Sequence, residues 1–272
     1  MINKLKIYLP FASNELKRQM AYKGAFYLFI VISLFGSFIS YFLWMAIYGS
    51  SDGGSLGGLT QNEMVVYVFM VYITSSMVNI TVSKEVGMDI VQGQVVMNLI
   101  KPIDYRMSLI FKAIGNMIYR FFVPGIFIWI GLEIYKVNAL GMGVTGISNI
   151  LLYLLSCIMS FLIYVLFDFC FGMIGFFTTY IFGLEMIKES ILKFLTGSLI
   201  PLSFFPKVVQ TVFSYLPFSS MTYTPVMIYL GKYTGWELAK VLLIQFAWVI
   251  ILYVIGSLIW KKVTKRLIVL GG

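Results

Sequence analysis

The chain has 272 residues, 60% of them hydrophobic and 11% charged, with a net charge of +9 and no histidine. A water-soluble domain is nearer one quarter charged, and a soluble fold of this length cannot hide so much apolar surface, so the composition gives an all-α polytopic membrane protein. The absence of histidine removes the usual general base near neutral pH and the commonest zinc ligand. The basic residues flank the apolar runs, which assigns them to orientation and to anionic lipid headgroups rather than to nucleic acid.

Residues 1–22 mix Lys4, Lys6, Glu15, Lys17 and Arg18 with Leu5, Ile7, Leu9, Phe11, Leu16 and Met20. The pattern predicts an interfacial N-terminal helix broken by Pro10, with a plain positively charged flank as the alternative. No small-residue cleavage site precedes the next apolar run, so no cleavable signal peptide is expected. Span one covers 24–48 and leads into Gly49-Ser-Ser-Asp-Gly-Gly-Ser-Leu-Gly-Gly58, read as a flexible loop. No strand precedes these glycines and no Lys-Ser/Thr follows, so they are not a phosphate cradle.

Span two covers 64–82, where Ser75, Ser76, Asn79 and Thr81 are placed to hydrogen-bond neighbouring helices or their own backbone. Residues 84–106 form the longest polar interruption between apolar runs, with two glycines, a Lys101-Pro102 step and charges of both signs. Span three covers 107–135. It carries Lys112 and, about 20 Å along the helix from Arg106, Arg120; Pro124 permits a kink and Glu133 lies near its end.

The stretch from Ile147 to Gly183 is too long for one ordinary span. A single span over 147–177 is preferred to two spans split near Asp168, which would leave a connection of only a few strongly apolar residues. Asp168 is then an intramembrane acid, with a transport role on one side and a structural hydrogen bond or a place near the inner interface on the other. Cys157 and Cys170 read as small buried side chains, with no metal spacing or disulfide framework. Glu185, Lys188, Glu189 and Lys193 mark the start of span five, 186–202. Residues 203–235 hold short, proline-punctuated, semi-apolar pieces that fit a re-entrant helical pair. Span six covers 236–260 and is followed by Lys261, Lys262, Lys265 and Arg266.

Six spans place all but Lys136, Lys207, Lys232 and Lys240 of the 20 Lys and Arg residues on one side. By the positive-inside rule both termini and the 84–106 elbow are cytoplasmic, and 203–235 is extracellular. A split at Asp168 would put the 261–266 cluster outside, a second argument against it.

Gln19-Met-Ala-Tyr-Lys-Gly-Ala-Phe26, Gly93-Gln-Val-Val-Met-Asn-Leu-Ile-Lys-Pro102 and Gly197-Ser-Leu-Ile-Pro-Leu-Ser-Phe-Phe-Pro206 follow one another in this order. Together with the span pattern they resemble the permease subunit of type-2 ABC exporters, across essentially the whole chain. The Gly-Gly end is similar to that of a drug-export-like branch. The resemblance implies a permease that pairs with a second permease, the same chain or a sister subunit, on separate cytoplasmic ABC ATPase subunits. The chain has no Gly-x-x-x-x-Gly-Lys-Ser/Thr, so it binds no cofactor itself, and ATP and Mg belong to the partner ATPase.

The resemblance also implies a coupling helix in the elbow, placed at 86–98. Val86, Ile90, Val91 and Val95 would offer an apolar face, while Glu85, Asp89 and Gln92 would meet a polar rim. Gly87 and Gly93 weaken such a helix by up to ~1 kcal/mol each, and a solvated loop is the alternative. Spans one, two and five would line the path between permeases, with Phe35, Phe38, Tyr41, Phe42, Tyr72, Met77 and Asn79 as candidates. Their aromatic and Met character suits an amphipathic or hydrophobic substrate, although packing or lipid contact is the commoner use of such residues in this chain. The rival readings are an ion-coupled secondary transporter, for which Asp168 is the one good intramembrane carboxylate, and a membrane enzyme, which the lack of His, clustered carboxylates and metal spacing disfavours. In every case the expected location is the cell membrane, with bacterial cytoplasmic membrane as the setting of the exporter reading.

Overall fold

A computed structural model describes residues 5–21, 23–51, 54–178 and 180–270. Lys4, Tyr22, Asp52, Gly53 and the Gly271-Gly272 end lie outside the described residues. In hydrocarbon each backbone N–H and C=O must be satisfied within the protein, so long apolar runs become helices. Five helical segments are long and apolar enough to cross a membrane: Ile30–Gly49, Gln61–Val91, Tyr105–Asn138, Ile147–Phe176 and Gly235–Lys265.

Helical residues 5–6 and a turn at 7–8 precede α1 (Leu9–Ala21), which carries Pro10 in its opening turn, where a missing N–H costs nothing. The expected break thus falls at the helix start. Its approach packs on span three rather than standing apart: the Tyr8 ring lies 5.6 Å from the Phe111 ring, and the Tyr8 hydroxyl accepts from the Asp104 amide at 2.8 Å. Helix α2 (Lys23–Gly49) follows. The glycine-rich loop after it was expected to be irregular, yet Ser55–Leu56 (β1) pairs with Leu59–Thr60 (β2) in an antiparallel hairpin. Thr60 then caps α3 (Gln61–Val78) in a capping box with Glu63.

The chain breaks at 79–81 and resumes as α4 (Val82–Val91) and α5 (Gln94–Ile100). Asp104 accepts from the Met107 amide and starts α6 (Tyr105–Arg120). At Phe121–Gly125 the helix widens into a π-turn around Pro124, whose ring and missing N–H disturb the i→i−4 ladder, and it continues as α7 (Ile126–Asn138). Helix α8 (Ile147–Gly172) ends in a 3₁₀ turn at Met173–Phe176, so one long segment occupies the place predicted for span four.

Span five departs from expectation. Helix α9 covers Ile181–Leu195 rather than 186–202 and stops at Thr196–Gly197, where Gly197 has φ +77°, the left-handed conformation that closes helix ends. At ~1.5 Å per residue it spans roughly 22 Å, short of the ~30 Å hydrocarbon core. Five described segments, not six, are therefore long enough to cross alone.

Two short helices, α10 (Lys207–Tyr215) and α11 (Tyr223–Tyr229), precede α12 (Gly235–Leu270), which runs ten residues past the predicted end of span six. Helix α11 is buried. Gln245 of α12, fully buried, holds the segment before α11 in place by donating to the Ser220 carbonyl at 2.9 Å and to Ser160 Oγ at 3.0 Å. The core centres on α3, α8 and α11, with Tyr67, Met70, Ile73, Tyr153, Ile163 and Phe169 among its fully enclosed side chains. By contrast, only 12% of the apolar window of α2 and 17% of that of α12 is buried within the chain, so both present apolar surface outward.

Candidate functional site

The elbow between α3 and α6 is a helical hairpin, not the single helix predicted over 86–98. Gly93 has φ +74°, a left-handed conformation that glycine adopts at little cost, and it ends α4 and starts α5. Gly87 has a different role. A Cβ there would lie 2.5 Å from Ile181 Cγ1, and a Cβ at Gly172 would lie 2.7 Å from Val86 Cβ. The absent side chains let α4 press onto the end of α8 and the start of α9.

This packing corrects the predicted docking face. Val86 is 0% exposed and Val95 1%, so both belong to the interior. Ile90 is half-buried against the core. Glu85 forms an ion pair with Lys112. Asp89 accepts from the Tyr105 hydroxyl at 2.7 Å and from Asn98 Nδ2 at 2.9 Å, binding α4, α5 and α6 together. Gln92 is exposed at the bend. The apolar surface that the hairpin does offer comes from Met88, Val91, Val96, Met97, Leu99 and Ile100, with Met97 59% and Ile100 74% exposed.

Beneath the hairpin lies a buried charge cluster. Asp168 Oδ2 accepts from the Val82 and Ser83 amides at 3.0 and 3.2 Å and from Ser83 Oγ at 2.9 Å. A carboxylate at the first amides of α4 is favoured by the helix dipole. Lys188 Nζ bridges Asp168 Oδ1 at 2.8 Å and Glu185 Oε2 at 2.7 Å, and it also contacts Ser83 Oγ at 2.5 Å. All four residues are buried. The cluster therefore fastens the start of the elbow to α8 and α9 at once. The charges of span five that were predicted to flank the membrane include two, Glu185 and Lys188, that are enclosed instead.

The path candidates fall into three places. Tyr72 and Asn79 line a polar cavity of about 370 Å³ with Arg120, Glu189 and Lys193. They also line a neighbouring cavity of about 310 Å³ that runs along α2 past Ser37, Ser40 and Trp44. The two share Tyr72, Ser75, Asn79, Lys193 and Ser198 and form one groove. Phe38, Tyr41 and Phe42 line a separate apolar cavity of about 370 Å³ with Phe69, Ile128 and Leu132. Met77 is 2% exposed and sits in the core, so it leaves the candidate set, whereas Phe35 is 65% exposed and lines none of these cavities within the chain.

Sequence reasoning missed Lys193 and Glu189 as lining groups, and it assigned Ser75 and Ser76 to helix contacts. The available signal was the spacing of Tyr72, Ser75, Ser76 and Asn79, which puts four polar groups on one helical face.

Long apolar helices, a polar groove running along them and an elbow with exposed apolar side chains define a multi-pass membrane transport subunit. The family model for ABC-2 family transporter proteins matches residues 34–271, and the chain belongs to that family. No curated protein matched it.

Proposed function

We propose that this chain is the membrane half of an ATP-driven exporter, that separate ATPase subunits dock on the elbow hairpin, and that the groove along α2, α3 and α9 is part of the substrate path. Export is expected for amphipathic or hydrophobic molecules. The observation that carries the docking assignment is the apolar surface of α5. In a segment that the charge pattern places in water, Met97 and Ile100 are mostly exposed while the polar Asp89 and Asn98 are turned inward onto each other. Exposed apolar groups gathered in one place mark an interaction surface.

ATP-driven closure of the ATPases would push on the hairpin. The Asp168–Lys188–Glu185–Ser83 cluster supplies a stiff link from there to α8 and α9, so two arrangements of the membrane helices can be biased by nucleotide. The outward apolar face of α2 suits contact with a second permease or lipid. Asp168 accepts hydrogen bonds from two amides, a hydroxyl and an ammonium. This bonding supports a strut in preference to the carboxylate of an ion-coupled transporter.

The test is copurification with candidate ABC ATPases encoded near this chain. The reading expects the ATPase to be retained by the wild type and lost with Met97→Asp/Ile100→Asp, which alters exposed side chains and leaves the core intact. Retention by the double variant would overturn the docking assignment. Failure of the wild type to retain or stimulate any such ATPase would overturn the exporter reading.

A further inference from the structure

Arg120 and Lys193 converge on the polar cavity from opposite sides, α6 and α9, and one carboxylate, Glu189, shares it. The lining thus holds two cations against one anion. Arg120 is half-buried and reaches the Ser76 and Asn79 carbonyls at 3.4 and 3.3 Å, which fixes its guanidinium at the cavity wall. Lys193 is exposed and takes part in none of the ion pairs found among the described residues. Two buried polar atoms of the same lining, Ser75 Oγ and Asn79 Oδ1, have no hydrogen-bond partner among the described residues. Buried polar atoms are satisfied in the great majority of cases, so a pair left open at a cavity wall points to a ligand or to water.

Depth along the helices adds a second constraint. Asn79 follows the end of α3, and Arg120 is the last residue of α6. Each is about 27 Å from the far end of its span, at Gln61 and Asn138, for a rise of ~1.5 Å per residue. The hydrocarbon core is ~30 Å thick, so both residues stand where the core meets the headgroups. With the elbow in the cytoplasm, that boundary is the inner leaflet. The groove continues from there along α2 past Ser37, Ser40 and Trp44, toward the opposite side.

We infer that the cavity between Arg120 and Lys193 binds the anionic headgroup, phosphate or carboxylate, of an amphipathic molecule taken from the inner leaflet. The guanidinium and the ammonium supply positive charge at the cavity wall, Ser75 Oγ adds a hydroxyl donor, and Asn79 Oδ1, which only accepts, faces a donor such as water or a hydroxyl of the ligand. Glu189 at the same opening leaves the lining with one positive charge in excess. This assignment rests on the exporter reading, since it gives the substrate class for the proposed path.

The experiment uses the full chain in nanodiscs of zwitterionic lipid, without ATPase. The probe is a phosphatidic acid with a short fluorescent tail, compared with phosphatidylcholine carrying the same tail, and with inorganic phosphate as competitor. The expected result is preferential binding of phosphatidic acid. Lys193→Gln weakens it about fivefold, the size of one partly exposed charge interaction, and Lys193→Arg keeps it. Displacement by phosphatidic acid but not by inorganic phosphate supports a membrane-derived amphiphile, whereas displacement by inorganic phosphate at equal concentration overturns the lipid source and keeps only the anion chemistry. Equal binding of the two lipids, or no effect of Lys193→Gln, overturns the inference. Because no ATPase is present, the result is separate from the copurification test, and failure of the binding assignment can be told from failure of the exporter reading.

Discussion

Replacing Lys188 with Met removes the cation that Asp168 and Glu185 both contact and keeps most of the side-chain volume. In the wild type the ammonium is 2.8 Å from Asp168 and 2.7 Å from Glu185, in a site almost closed to solvent. Removing one member of a buried ion pair costs ~3–5 kcal/mol because the remaining charge is left unpaired. Here two carboxylates lose their partner, which places the loss at ~5 kcal/mol. For a chain of this size ~1 kcal/mol moves the midpoint by about 2–4 °C, so the apparent Tm falls by at least about 10 °C. Tryptophan fluorescence during heating in detergent reads this directly. A triple variant, Lys188→Met with Asp168→Asn and Glu185→Gln, removes all three charges, keeps acceptors for the Val82 and Ser83 amides, and recovers most of the loss. A Lys188→Met protein within about 2 °C of wild type, or a triple variant as unstable as the single one, would refute the view that paired charge holds this junction.

Other substitutions follow the same geometry. Gly87→Ala drives a methyl against Ile181 and is expected to cost about 1–3 kcal/mol, relieved by Ile181→Ala in the double variant; thermal unfolding of the two checks it. Gly93→Val places a β-branched residue at positive φ and loosens the α4–α5 bend by ~1 kcal/mol or more, read as faster protease cleavage around residue 93. Glu85→Lys/Asp89→Lys breaks the Lys112 pair and the Tyr105 and Asn98 contacts, so it is expected to disorder the hairpin itself, with the same cleavage as readout. Tyr67→Phe leaves the buried Gly197 carbonyl without its 2.6 Å donor and lowers stability by about 1–3 kcal/mol in a denaturation series.

The long apolar runs were legible because hydropathy alone forces helix in lipid, and Pro124 announced the irregular turn in span three. The junctions were less so. Gly87 and Gly93 look alike in sequence, but one admits Ile181 from a distant helix while the other bends the backbone. Their difference lies in tertiary neighbours, not in local propensity. Glu185 and Lys188 read as a membrane flank because the groups that neutralise and enclose them, Asp168 and Ser83, are remote in the chain. On α3, Tyr72 and Met77 are five residues apart, which at about 100° per residue turns Met77 away from the groove and into the core. The polar spacing from Tyr72 to Asn79 was visible, whereas its convergence with Lys193 required the fold.

The claim that outside energy enters through the elbow is tested most directly by ATP hydrolysis in proteoliposomes. The ABC ATPase that copurifies with the chain is measured alone, with the wild-type chain, and with Met97→Asp/Ile100→Asp. The account predicts that the wild type raises the hydrolysis rate and that the double variant returns it to that of the ATPase alone while still inserting and keeping its wild-type melting point. Equal stimulation by the two proteins would contradict it.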